Sequence, residues 1–246
     1  MNVLVTGASS GIGKSLAAHL VCQGHAVWGL ARRAEELSKM EQELAHEKGT
    51  FRWSTGDVRN QEDITHMRNI MRQVSFFPDV FYLAAGVFPN DTTPCFNFSL
   101  FRETMDTNVE GAMGVVDVFL DECLEQSRGH FIVLSSIAAF RPNRWSIGYS
   151  ASKAAVALAF RGLQLVYRSQ GILCTVAYLG PVDTPLWKWK KSFLVANKEV
   201  VARKLAGLLY SRKETYYVPF VSTFLFRISQ CISDRWYAAI RRIIVR

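Results

Sequence analysis

Paired cysteines are missing from this 246-residue chain: Cys22, Cys95, Cys123, Cys174 and Cys231 form an odd, scattered set with no CxxC or metal-like spacing. That spacing argues against a disulfide framework and against a zinc module. Reduced thiols in a cytoplasmic compartment are expected instead, most of them serving as small core residues, and no metal site is expected. No basic-then-apolar leader stands before the first apolar strand, so a cleaved targeting peptide is not expected. A long hydrophobic run is lacking too. Val218 to Phe226 is about half the length of a membrane span, and Arg227 interrupts it. There is no internal repeat and no low-complexity linker. The chain therefore reads as one α/β domain over 1–246, because open α/β sheets often run past about 200 residues as a single unit.

Acidic residues are scarce at one end. Residues 186–246 hold 13 Lys and Arg against 3 Asp and Glu, whereas residues 1–185 hold 16 against 18, so the net charge of +8 belongs to the C-terminal quarter. A near-neutral body speaks against a nucleic-acid partner.

What the chain does have begins at its front. Met1 to Val5 reads as a short apolar strand, Thr6-Gly7-Ala8-Ser9-Ser10-Gly11-Ile12-Gly13 as a turn, and Lys14 to Val21 as a helix with Leu16, Ala17, Leu20 and Val21 on one face. Strand, glycine turn and helix suit a nucleotide diphosphate: glycine lets the backbone approach the phosphates, and the free amides of a helix start face their charge. His25 to Ala31 reads as the second strand. Its end offers Arg32 and Arg33 and no carboxylate before Glu35. An acidic residue there binds ribose hydroxyls, whereas a guanidinium accepts a 2′-phosphate, so NADP(H) is expected over NAD(H) unless both arginines sit in solvent at a helix start.

Alternation continues along the chain. Helices are expected at Glu35–Lys48, Gln61–Val74, Leu100–Glu122, Tyr149–Tyr167 and Asn197–Leu209. Strands are expected at Phe51–Ser54, Asp79–Leu83, Gly129–Leu134, Leu173–Tyr178 and Thr215–Val218. The fold class is α/β: a doubly wound, mostly parallel seven-stranded sheet with helices on both faces. Asn108 and Gly111 are poor choices inside a helix. They mark either a purposeful kink or a tolerated flaw.

Tyr149 and Lys153 stand four apart in Tyr149-Ser150-Ala151-Ser152-Lys153, on one face of a helix. A nearby ammonium favours a phenolate and lowers its pKa, making the pair a plausible acid/base unit or else an ordinary helix surface. Ser136, at a strand end, could donate to a substrate oxygen or be a turn serine.

Taken together, TGASSGIG at 6–13, Asp57, AAG at 84–86, Asn108-Val109-Glu110-Gly111, Ser135-Ser136, YSASK at 149–153 and GPVDTP at 180–185 resemble the short-chain dehydrogenase/reductase family over residues 1 to about 185. The resemblance implies hydride exchange between nicotinamide and a carbonyl or alcohol carbon, with Tyr149 as acid/base and Lys153 lowering its pKa and holding the ribose. Ser136 would polarise the substrate oxygen, and Asn108 would order a water in the proton path. It places Gly7, Ser9, Ser10, Gly11, Ile12 and Gly13 along the pyrophosphate. Asp57 and Val58 fall at adenine, Ala84, Ala85 and Gly86 beside the ribose, and Pro181, Val182 and Thr184 at the nicotinamide end. It also implies a homodimer or homotetramer through paired long helices. Two departures stand out: Leu83-Ala84-Ala85-Gly86 replaces the family's NNAG, and Gly180-Pro181 inverts its Pro-Gly.

Residues 186–209 are expected to form the substrate loop, with Trp187, Trp189, Lys188, Lys190 and Lys191 interleaved as a lid or as a packed surface loop. The stretch from Cys174 to Pro185 weakly resembles 3-ketosphinganine reductases, which act on a lipid ketone. Residues 219–246 read as a basic amphipathic extension, either packed on the domain or a subunit partner, or lying on an anionic membrane. The expected function is an NADP(H)-dependent oxidoreductase for a hydrophobic small-molecule carbonyl or alcohol. The alternatives are a membrane-surface lipid ketone reductase and a non-catalytic dinucleotide-binding scaffold.

Overall fold

Seven strands form one sheet in the computed structural model, which describes residues 1–142, 145–186, 195–233 and 236, apart from the side chains of residues 221, 222, 225 and 230. The strands are β1 (Asn2–Thr6), β2 (Ala26–Ala31), β3 (Thr50–Thr55), β4 (Val80–Leu83), β5 (Gly129–Ser136), β6 (Ile172–Leu179) and β9 (Thr215–Val218). Their order is β3-β2-β1-β4-β5-β6-β9, and every neighbouring pair runs parallel. The order reverses direction between β1 and β4. Ligands of open parallel sheets bind at such a switch point, beyond the carboxyl ends of the strands.

The alternation of the strands divides the core. Val3 and Val5 of β1 face one cluster with Ile132 and Leu134 of β5, while Leu4, Phe131 and Val133 face the other. Successive side chains point to opposite faces of a strand, so a sheet covered on both sides buries every residue. All eight positions of β5 are buried. Phe81 stacks on Phe131 with ring centroids 4.4 Å apart. The buried Tyr82 hydroxyl donates to the Leu205 carbonyl at 2.7 Å, tying β4 to a covering helix.

The helices are α1 (Gly11–Cys22), α2 (Ala34–Leu44), α3 (Gln61–Gln73), α4 (Phe98–Met105), α5 (Gly111–Glu125), α6 (Ile147–Tyr167), α7 (Lys198–Ala206) and α8 (Phe220–Ile228). Leu16, Ala17, Leu20 and Val21 are the buried face of α1, as their spacing predicts. The helix expected to reach Lys48 stops at Leu44, where the backbone passes into turns toward Gly49. The expected helix 100–122 is instead α4 and α5 joined by one π turn over Asp106–Glu110. Asn108 lies inside that turn, where the regular α-helix is interrupted. A short ladder unforeseen in the sequence joins β7 (Val182–Asp183) to β8 (Ala196–Asn197). The expected lid, Trp187 to Leu194, lies outside the described residues.

The cysteines correct one expectation. Cys123 and Cys174 are buried, whereas Cys22, Cys95 and Cys231 are exposed, so most are not core residues. Cys22 sits at the end of α1, beyond its apolar face. Among the described residues, no helix is long and apolar enough to cross a membrane.

Candidate active site

The loop after β1 is built for close approach. Gly7 has φ +70°, and a Cβ there would lie 2.9 Å from the backbone of Ala85 in the loop after β4. The two loops are also bonded, since the Ala85 amide donates to the Thr6 hydroxyl at 3.2 Å. That bond holds the loop where the family's asparagine is replaced. A Cβ at Gly13 would run into the carbonyl of Gly7. Ser10 takes the N-cap position of α1 in an extended conformation, and its side chain makes no capping bond. The first amides of α1 are thus not capped by Ser10 beside this glycine floor, an arrangement that suits an anion.

A cavity of about 340 Å³ opens over this floor, with Gly7, Ser10, Gly11, Ile12 and Gly13 on one side. Ala84, Ala85 and Gly86 line it from the β4 loop, Pro181, Val182 and Thr184 from the β6 loop, and Ser136, Tyr149 and Lys153 from β5 and α6. The Gly180 amide donates to the Val218 carbonyl at 2.8 Å, which anchors the inverted Gly-Pro turn to β9.

Lys153 is stitched to β5 in both directions. Its Nζ donates to the Leu134 carbonyl at 2.8 Å, and its own carbonyl accepts from the Ser135 hydroxyl at 2.8 Å. Desolvation pushes the lysine down to about 8. Its Nζ stands 5.8 Å from the ring centroid of Tyr149. For Tyr149, burial raises the pKa and the hydrogen bond with Ser136 lowers it, with a net upward shift. That direction is opposite to the one expected from the ammonium alone, because desolvation of the phenolate is the larger effect.

Asn108 lies behind the cavity wall rather than on it. Its side chain clasps Val87, accepting from the amide at 2.8 Å and donating to the carbonyl at 3.1 Å, and donates to Ser152 at 3.0 Å. A Cβ at Gly86 would come within 3.2 Å of Asn108 Oδ1 and 3.5 Å of Lys153 Nζ, so the β4 loop passes tightly between them.

Outside the residues that line the cavity, Arg33 reaches back to Ser9, donating from Nη2 to its hydroxyl at 3.0 Å and to its carbonyl at 3.2 Å. Arg32 is more open and stands 3.8 Å from Asp57. Asp57 is held chiefly by Arg59, whose hydrogen bonds keep its carboxyl below the usual range. Glu36 is paired with Lys14 at 3.2 Å. Val58 is buried against Gly111, where a Cβ would lie 2.6 Å from its Cγ2, so it supports α5 and does not line the cavity.

Several residues of the wall escaped the sequence. Phe88 packs its ring 4.3 Å from that of Tyr149. Arg141, Ile137, Leu179 and Phe226 also line the cavity. Asp91, fully buried, accepts from the amides of Ile147 at 2.8 Å and Gly148 at 2.7 Å and from the Ser146 hydroxyl at 3.3 Å, capping the helix that carries Tyr149. The only local signal for it is an aspartate in a loop of turn formers.

Comparison with known proteins places the chain in a family. A family model described as short chain dehydrogenase matches residues 1–193. An uncharacterized oxidoreductase of Staphylococcus saprophyticus is 32% identical over 184 residues, covering 74% of this chain and 79% of that protein. One from Staphylococcus aureus is 31% identical over 183 residues, covering 74% and 78%. Among solved structures, an actinorhodin polyketide ketoreductase variant with NADPH superposes with a TM-score of 0.80 at 24% identity, covering 88% of this chain and 95% of that one. Serine dehydrogenase from Escherichia coli gives 0.78 at 24%, covering 88% and 96%. With the family model spanning most of its length, the chain belongs to the short-chain dehydrogenase/reductase family of oxidoreductases.

Proposed function

We propose that this protein is an NADP(H)-dependent oxidoreductase acting on a hydrophobic carbonyl or secondary alcohol. One observation carries the reading: Ser136, Tyr149 and Lys153 converge on the same cavity as the glycine floor of α1. Gly7, Gly13 and Gly86 leave a cradle that a Cβ would fill, and the uncapped amides of α1 suit a pyrophosphate. A dinucleotide therefore fits these residues, and its nicotinamide would supply or accept the hydride.

In reduction, Tyr149 gives the proton from its phenol to the substrate oxygen. Its raised pKa keeps that proton in place at neutral pH. Ser136 donates to the same oxygen and steadies the charge that develops there. Lys153, fixed by the Leu134 carbonyl, holds the ribose and favours the phenolate as it forms. Asn108 keeps the β4 loop and the π turn together behind them. Phe88, Ile137, Leu179 and Phe226 make the substrate side apolar and exclude water.

NADP(H) is favoured because no acidic residue ends β2 and Glu36 is already neutralised by Lys14. Arg33 and Ser9 frame the site for a 2′-phosphate, with Arg32 beside them. The reading is supported by solved structures of the same fold, a polyketide ketoreductase with NADPH and a serine dehydrogenase complexed with NADP+. A homodimer or homotetramer belongs to the same proposal, since Leu158, Leu165 and Val166 stand exposed on the outer face of α6. Titration with NADPH and NADH, followed by nicotinamide fluorescence, tests the assignment. Tighter NADPH binding supports it, and equal or tighter NADH binding removes the phosphate site.

A further inference from the structure

Helix α8 has two sides with different work. On the inner side, Thr223 is buried and donates to the Pro219 carbonyl at 2.6 Å, and Phe226 lines the substrate cavity. On the outer side, Phe220, Phe224 and Ile228 follow one another at four-residue spacing and remain 61%, 43% and 49% exposed. The two phenyl rings stack on each other, centroids 5.4 Å apart. Ile232 and Trp236 extend the exposed apolar residues beyond the helix. A contiguous apolar ridge of this kind marks a surface that meets something.

Charge says what. Residues 219–246 hold five arginines, at 227, 235, 241, 242 and 246, against one aspartate, at 234. Arg227 is exposed, and its guanidinium donates to the Tyr217 hydroxyl at 2.6 Å. Two copies of so basic a segment repel each other, whereas an anionic bilayer takes apolar rings and arginines together. We propose that the outer face of α8 is a docking surface for an anionic lipid bilayer, placing the wall of the substrate cavity at the membrane surface.

The link to the cavity is Arg141. This buried residue lines the cavity and donates to the carbonyls of Ser229 and Ile232, fastening the chain after α8 to the cavity wall. Docking therefore acts on an element one side chain thick: Phe224 on the bilayer side, Phe226 on the substrate side. The substrate that suits this placement is a lipid-borne carbonyl, so the inference rests on the hydrophobic substrate proposed above.

Co-sedimentation of the full chain with phosphatidylcholine vesicles, with and without phosphatidylserine, tests it. The expected result is binding only with phosphatidylserine, released by salt. Phe220→Ser/Phe224→Ser/Ile228→Ser should lower partitioning by about tenfold or more, since it removes three apolar side chains from burial. NADPH binding by that variant, followed by fluorescence, should stay unchanged and show that it is folded. Should it fail to fold, Arg241→Glu/Arg242→Glu gives a second test and should lose the phosphatidylserine response. No binding to phosphatidylserine vesicles at low salt overturns the proposal. So does undiminished binding by both variants, or loss of self-association in the triple variant without any vesicle binding, which would put a second copy on this face. Failure to turn over any carbonyl would sink the enzymatic reading while leaving the vesicle result intact.

Discussion

Lys153 donates its buried ammonium to the Leu134 carbonyl at 2.8 Å, pinning the helix that bears Tyr149 to the end of β5. The position is costly. Desolvation lowers the lysine from 10.5 to about 8, so between those values the unfolded chain binds the extra proton. Stability must then rise with pH through that window, and the cost, about 3 kcal/mol at full extent, is present below it. Lys153→Met removes this contribution. Urea midpoints measured across pH should climb less steeply between about 8 and 10.5 in the variant than in the wild type. Parallel profiles would show that the lysine keeps its ordinary pKa.

Ser136 is the group that lowers the Tyr149 pKa against the effect of burial. Ser136→Ala should push the phenol further up. For alcohol oxidation, which needs the phenolate, the rising limb of the pH profile should move to higher pH. Turnover at the plateau should fall about a hundredfold with the loss of one oxygen-stabilising donor. An unmoved limb would mean that another group titrates.

The two arginines after β2 stand in different surroundings. Arg33 is already held by Ser9, whereas the Arg32 side chain is 60% exposed and only 3.8 Å from Asp57. Arg33→Ala and Arg32→Ala should each weaken NADPH by about tenfold or more, the scale of a lost charge-assisted bond, with NADH little changed. Equal losses for both nucleotides would place the arginines away from a phosphate.

Asp91 reaches α6 only two residues before Tyr149 begins its work, through the amides of Ile147 and Gly148. Asp91→Ala removes the acceptor of two amides, the one at Gly148 buried, and should cost about 2 kcal/mol in thermal or urea unfolding. Asp91→Asn keeps an acceptor oxygen and should recover part of that loss. A stable alanine variant would show that the cap is dispensable.

What the sequence made legible was local. The glycine turn, the Tyr149–Lys153 spacing and the strand ends are written within a few residues, and the structure brings Ser136, Tyr149 and Lys153 to one cavity. Asp91 and Arg141 were invisible because their partners lie 55 to 57 and 88 to 91 residues away. The π turn was half legible: Asn108 and Gly111 signalled a fault in the helix, but only the clasp on Val87 explains it. That Val58 packs its side chain on α5 at Gly111 was not legible, because the two stand far apart in the sequence. Which side of α8 faces the cavity was not legible, because Phe226 meets the other cavity residues only once the chain is folded.

The central claim is that Tyr149 delivers the proton in an NADPH-dependent reduction. The most direct test follows NADPH consumption with a panel of hydrophobic ketones for the wild type and Tyr149→Phe, alongside cofactor affinity. The account predicts oxidation of NADPH by the wild type. It predicts a loss of about a thousandfold in the variant with unchanged NADPH binding, the scale of a lost general acid. A variant that turns over within about tenfold of the wild type would contradict it, as would a wild type that binds NADPH and never oxidises it.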